Sequence, residues 1–147
     1  MIMIIITFNA CSSQNAFSNF KLSHEEEQSV LSLQSSKIIS NKNITGIFSA
    51  IYLNKINANK YSNYETFYIS LYLKKEDKKI NFMLNNNNAF SVKELDVPNE
   101  FSNLFPINNQ WYKYYLVKFE KDKTSQLNLS LETNNAKTQL MFKKKSN

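Results

Sequence analysis

From about residue 29 onward the apolar residues recur at every second position, and a period of two commits a backbone to strands rather than helices. The pattern is cleanest where Phe67, Ile69, Leu71 and Leu73 alternate with Tyr68, Ser70, Tyr72 and Lys74. It recurs where Leu127, Leu129 and Leu131 alternate with Asn128, Ser130 and Glu132. Successive side chains of a strand point to opposite faces, so each segment has one face for a core and one for water. Further strands are expected over Ser29 to Ser40, about Ile44 to Asn54, Ile80 to Leu84, around Phe90 and Val92, Trp111 to Phe119, and Thr138 to Phe142. Seven or eight short strands separated by polar turn clusters predict an all-β fold, an immunoglobulin-like antiparallel β-sandwich over residues 29–147. The single cysteine rules out the Cys…Trp…Cys pattern of antibody domains.

The turns must be made without glycine, because Gly46 is the only one. Asparagine, which also tolerates left-handed backbone, is expected to serve at Asn41-Lys42-Asn43, Asn85 to Asn88 and Asn134-Asn135. Phosphate-cradling loops, dinucleotide fingerprints and nucleophile elbows all need several glycines and are excluded. The last third reads as a three-strand meander, and Lys143-Lys144-Lys145 is expected to end it in solvent. Residues 95–110 break the alternation, punctuated by Pro98 and Pro106.

The N-terminal end is organised differently. Ile2 to Phe8 form a short apolar run, closed by Ala10-Cys11-Ser12. An apolar segment with a small residue before its end is the pattern of an export signal, and a cysteine at that point is the lipidation site of bacterial lipoproteins. Residues 1–10 are then the signal and residues 11–28 a polar tether. The competing reading is a buried cysteine ending an N-terminal strand. The run is too short to span a bilayer, which takes about 20 residues. Each buried CH₂ contributes about 0.8 kcal/mol, so a cysteine with several acyl chains anchors stably through membrane contact alone. Within the tether, Ser23 with Glu26 three positions on fits a capping box and predicts a helical turn. His24-Glu25-Glu26-Glu27 reads as a solvated helix start, not as a metal site.

Net charge is +6, but all 18 basic residues are lysine. Base and phosphate recognition rely on the bidentate guanidinium fork that lysine lacks, so no nucleic-acid partner is expected. Abundant Asn, Lys, Ile, Tyr and Phe suggest AT-rich codons as the origin of the basic charge.

Two stretches, Ala50-Ile51-Tyr52-Leu53-Asn54 and Phe105-Pro106-Ile107-Asn108 with Trp111 through Phe119, resemble small conserved lipoproteins of Gram-negative bacteria with AT-rich genomes. The resemblance covers most of residues 29–145 and implies an envelope address, without bringing an activity. Ser12, in place of the Asp that marks inner-membrane retention, implies the outer membrane. In architecture alone the chain is similar to the β-sandwich lipoproteins of secretion systems.

No catalytic residue, metal ligand or cofactor site can be nominated. Glu94 and Asp96 read as edge-strand charges that discourage aggregation, and Glu76 and Asp77 as solvated turn charges. Two surfaces remain. Tyr68 and Tyr72 share the face of their strand opposite the core, and tyrosines are enriched at interfaces. Phe101, Leu104 and Phe105 give residues 95–110 an apolar content that suits either a binding loop or a plug over the core. The expected function is a lipid-anchored, non-catalytic sandwich that binds or braces a protein partner in the envelope. The alternative is a module for anionic lipid or polysaccharide.

Overall fold

The computed structural model describes residues 23–105 and 110–144; Cys11, the expected signal and most of the tether lie outside them. Ser23 caps α1 (His24–Ser32), its hydroxyl accepting from Glu26 N at 3.2 Å while the Glu26 carboxylate accepts from Ser23 N at 2.7 Å. The capping box read from the sequence is thus present. The helix runs further than expected, and the first strand begins at residue 33, not 29. Ser29 holds the extra turn in place, its hydroxyl donating to Glu26 O at 2.7 Å and to Leu104 O at 3.0 Å.

Strands β1 (Leu33–Ser40), β2 (Asn43–Tyr52) and β3 (Glu65–Leu73) follow, with the short helix α2 (Leu53–Ile56) after β2. Then come β4 (Asn81–Leu84), β5 (Asn87–Asn88), β6 (Ser91–Leu95), a 3₁₀ turn at Ser102–Leu104, β7 (Lys113–Phe119), β8 (Gln126–Glu132) and β9 (Lys137–Lys143). They form two antiparallel sheets, a five-stranded one ordered β1-β2-β3-β7-β6 and a four-stranded one ordered β5-β4-β8-β9. The β-sandwich expected from the alternation is therefore the observed architecture. In the immunoglobulin order the third strand crosses to the second sheet; here β3 stays beside β2 and β4 makes the crossing. The expected three-strand meander is also corrected. Only β8 and β9 pair as a hairpin, while β7 lies between β3 and β6 in the other sheet.

Asparagine does take the place of glycine in the tight turns. Asn41, Lys42, Asn85 and Asn86 all adopt positive φ, the conformation that two-residue hairpin turns demand. Gly46 sits elsewhere, buried in β2 just past a bulge, because Ile38 pairs with Gly46 but Ile39 with Ile44. The displaced Thr45 is held by its hydroxyl, which donates to Ile38 O at 3.2 Å. A Cβ at Gly46 would stand 2.3 Å from the Tyr72 carbonyl oxygen.

The inner faces of both sheets meet in one core built on Phe48, Phe67, Val117, Phe119, Leu129 and Phe142. A second apolar layer lies on the outer face of the five-stranded sheet, where Ile51, Leu53, Tyr68 and Tyr114 pack against Phe101 and Phe105. Every residue from Glu65 to Leu71 is consequently buried, as befits a central strand covered on both faces.

Replacing Gly46 with alanine forces β2 away from β3. The Gly46→Ala protein is expected to lose about 1–3 kcal/mol, read as a lower midpoint in thermal or urea unfolding with the fold retained.

Candidate functional site

Tyr68, expected on an exposed face, is 0% exposed. The sequence placed it on the correct side of β3, but that side is roofed. Phe101 and Phe105 bring their rings to 5.1 and 5.0 Å from the Tyr68 ring, and Tyr114 lies at 5.9 Å. Phe101 and Phe105 are buried in turn, with Leu104 half-buried behind them. Their segment, expected as either a binding loop or a plug, acts as a cover on the outer face of the five-stranded sheet. Neither Tyr68 nor Phe101 and Phe105 is available to a partner. The Tyr68 hydroxyl has no hydrogen-bond partner among the described residues. Burial pushes its pKa up to about 12, with the Asn99 side chain acting weakly in the other direction. Tyr115 is likewise pushed up to about 12, first by burial and then by the nearby Glu94 carboxylate on β6.

A second cluster went unseen in the sequence. Glu65, at the start of β3, is fully buried, and its carboxylate accepts from Tyr52 Oη, from Lys144 Nζ at 2.6 Å and from Asp122 N at 3.3 Å. Lys144 Nζ also donates to the Asp122 carbonyl. The Asp122 side chain accepts from Thr124 N at 2.7 Å and Asn85 Nδ2 at 2.6 Å, and these bonds, the backbone one foremost, lower its pKa. Burial raises the pKa of Tyr52 far above the ordinary tyrosine value, helped by Glu65. Lys144 is therefore no solvated tail: its side chain is 24% exposed and ties the end of β9 to β3. Asp77 is similarly drawn in, accepting from Asn134 N at 3.1 Å and from Lys79 N at 3.0 Å. These carboxylates do structural work, since every oxygen-directed bond holds a turn or a strand end.

The surface that does present chemistry lies at the opposite end of the sandwich. Trp111, in the turn before β7, is 70% exposed. Because Lys113 pairs antiparallel with Leu71, the residue after Leu71 and the residue before Lys113 come together, and the Tyr72 and Tyr112 rings stand 5.6 Å apart beside Trp111. On one side of the indole a cleft of about 380 Å³ has Leu71, Leu73 and Ile80 at its base and Glu76, Lys78 and Gln110 on its rim. On the other, Ile47, Tyr72 and Tyr112 form a shallow depression of about 280 Å³. Lys113 Nζ pairs with Glu76 Oε1 at 3.6 Å across the rim. Tyr72, expected in a binding surface, is half-buried and lines this depression; Trp111 was read only as the start of a strand. Its lone occurrence beside the polar Gln110 was the available signal.

Among the described residues no three His, Cys, Asp or Glu side chains gather into a metal site, and no helix is long and apolar enough to cross a membrane. Comparisons with protein-family models, curated proteins and solved structures find no match to this chain. What the fold and site define together is a β-sandwich with an aromatic cleft at one end.

Removing the cation from the buried pair leaves a carboxylate without its counter-charge. Lys144→Met is expected to cost about 3–5 kcal/mol in urea unfolding, and adding Glu65→Gln to recover part of that loss. The raised tyrosines set an alkaline limit. Their neutral forms are favoured in the fold, so stability holds below the ordinary value of 10.0 and falls as pH climbs from there towards 12. Tyr68→Phe should flatten that decline, measured as the unfolding midpoint against pH, without loss of stability at neutral pH.

Proposed function

We propose that this chain is a lipid-anchored lipoprotein of the bacterial outer membrane whose β-sandwich is a non-catalytic binding module. The apolar run ending in Ala10-Cys11-Ser12 supports the anchor. The observation that carries the binding role is Trp111, 70% exposed beside Tyr72 and Tyr112 with a cleft on either side. Large aromatics are costly to leave in water and are enriched where proteins meet ligands.

Of the partner classes that the sequence leaves open, a polysaccharide suits this geometry best. The Tyr68 half of the expected protein-binding face is buried, and what is exposed lines clefts with mixed polar rims. A protein partner is the second reading, favoured by the outermost strand β6, where Val92 is 50% exposed and Phe90, just before the strand, is 59% exposed. An unpaired strand edge of this kind accepts an added strand.

Acyl labelling of cells producing the wild-type chain or Cys11→Ser, with membrane fractionation, tests the anchor. Lipid is expected on the wild type alone, and the variant should leave the membrane fraction or stay unprocessed. Two unlabelled, cytoplasmic proteins would sink the lipoprotein reading.

A further inference from the structure

We propose that the cleft beside Trp111 binds a neutral saccharide chain, one pyranose ring stacked on the indole and its hydroxyls held by the rim. This deepens the reading of the chain as a polysaccharide-binding module and rests on it.

The argument begins with the cleft's construction. A pyranose has an apolar face of C–H groups and an equatorial belt of hydroxyls, so it needs a flat apolar platform with hydrogen-bonding groups around the edge. Trp111 supplies the platform, in contact with water over most of its surface. Leu71, Leu73 and Ile80 continue the apolar floor, and Glu76, Lys78 and Gln110 bring both acceptors and donors to the rim. Both flanks of the indole are hollow, with about 380 Å³ on one side and about 280 Å³ on the other. The second hollow is walled by Tyr72 and Tyr112, whose rings lie 5.6 Å apart. A chain of sugars can thus pass over Trp111 and continue on tyrosine, whereas a single small ligand would use only one hollow.

Charge decides the class of saccharide. The whole chain carries +6, yet the cleft's two carboxylates, Glu76 and Asp77, are matched by two ammonium groups, Lys78 and Lys113. Glu76 and Lys113 already pair at 3.6 Å. The cleft is therefore electrically balanced on a basic protein, so it offers a polyanion less than the rest of the surface does. A neutral ligand loses nothing there, and its binding is insensitive to salt, because screening acts on net charge interactions.

The position is also firmly held. Asp77 ties the 74–79 segment to the β8–β9 turn through Asn134, at 3.1 Å to its backbone N–H. Tyr72 lies near the end of β3 and Tyr112 just before β7, each next to the Leu71–Lys113 pair. Ring stacking and a fixed rim cut the ordering cost of binding a flexible sugar chain.

Trp111 is the only tryptophan, so its intrinsic fluorescence reports this cleft alone. The purified chain would be titrated with cellotetraose and chitotetraose as neutral probes, with polygalacturonate as an anionic probe, and with a proline-rich peptide. A saturable blue shift with a neutral tetrasaccharide, unchanged by added salt, is expected. Calorimetry on variants then follows: Trp111→Ala should weaken binding roughly tenfold or more, while Trp111→Phe retains most of it. Glu76→Gln should weaken it less. The unfolding midpoint of Trp111→Ala is measured alongside, so that lost binding is read only from folded protein. No shift with either neutral sugar overturns the proposal. A shift with polygalacturonate alone that salt abolishes also overturns it, while leaving a polysaccharide module of the anionic kind. A shift with the peptide alone overturns the saccharide reading altogether. None of these outcomes bears on the anchor, which the Cys11 labelling decides separately.

Discussion

The two sheets are locked together at one end by a single buried carboxylate. Glu65 opens β3, Tyr52 closes β2, Lys144 follows β9 and Asp122 lies in the β7–β8 loop, so one carboxylate collects three strand ends and a loop from both sheets. Burying that charge without partners would be prohibitive, and the ion pair with three hydrogen-bond donors around it makes burial tolerable. The donors reach it from distant parts of the sequence, with Lys144 contributing across 79 positions. This end of the sandwich is therefore held by contacts far apart in sequence.

The other end has no such lock. There the partly buried Leu73 shares one cleft with residues of the β1–β2 and β8–β9 turns, and Leu71 lines another beside Trp111. The sides are handled differently again. Ser36 and Thr138 share a hydrogen bond of 2.8 Å that joins the β1 and β9 edges, while on the far side the chain itself passes from β5 into β6. Among the described residues, the less tightly closed end is where clefts reach the Leu71 and Leu73 side chains.

Much of the fold was legible in the sequence because strand alternation is a local property. The inward faces of β3 and β8 follow directly from Phe67, Ile69 and Leu71 and from Leu127, Leu129 and Leu131. The asparagine turns were legible for the same reason. What was not legible depends on contacts between distant segments. Tyr68 lies on the face its alternation gives it, but no local pattern announces that Phe101 and Phe105 will fold back over that face. Sheet membership of β7 was hidden because its alternation suits a central strand in either sheet. Glu65 and Lys144 looked like ordinary charges, since a buried ion pair is visible only once both strands are placed. Of the candidate site, Tyr72 could be read from its strand face, whereas Trp111 was read into the strand that in fact begins at Lys113, so its exposure in the preceding turn went unseen.

The placement of α1 gives the molecule a polarity. The helix leads into β1 beside the Glu65 end, whereas Trp111 lies where β3 finishes. Between them runs β3, nine residues long, which covers about 30 Å at the ordinary strand rise. The residues between the proposed anchor at Cys11 and α1 can add up to about 40 Å of reach when extended. With lipid at Cys11, as proposed, that reach and this polarity together would set the attachment nearer the Glu65 end and leave the aromatic cleft at the end farther from the bilayer.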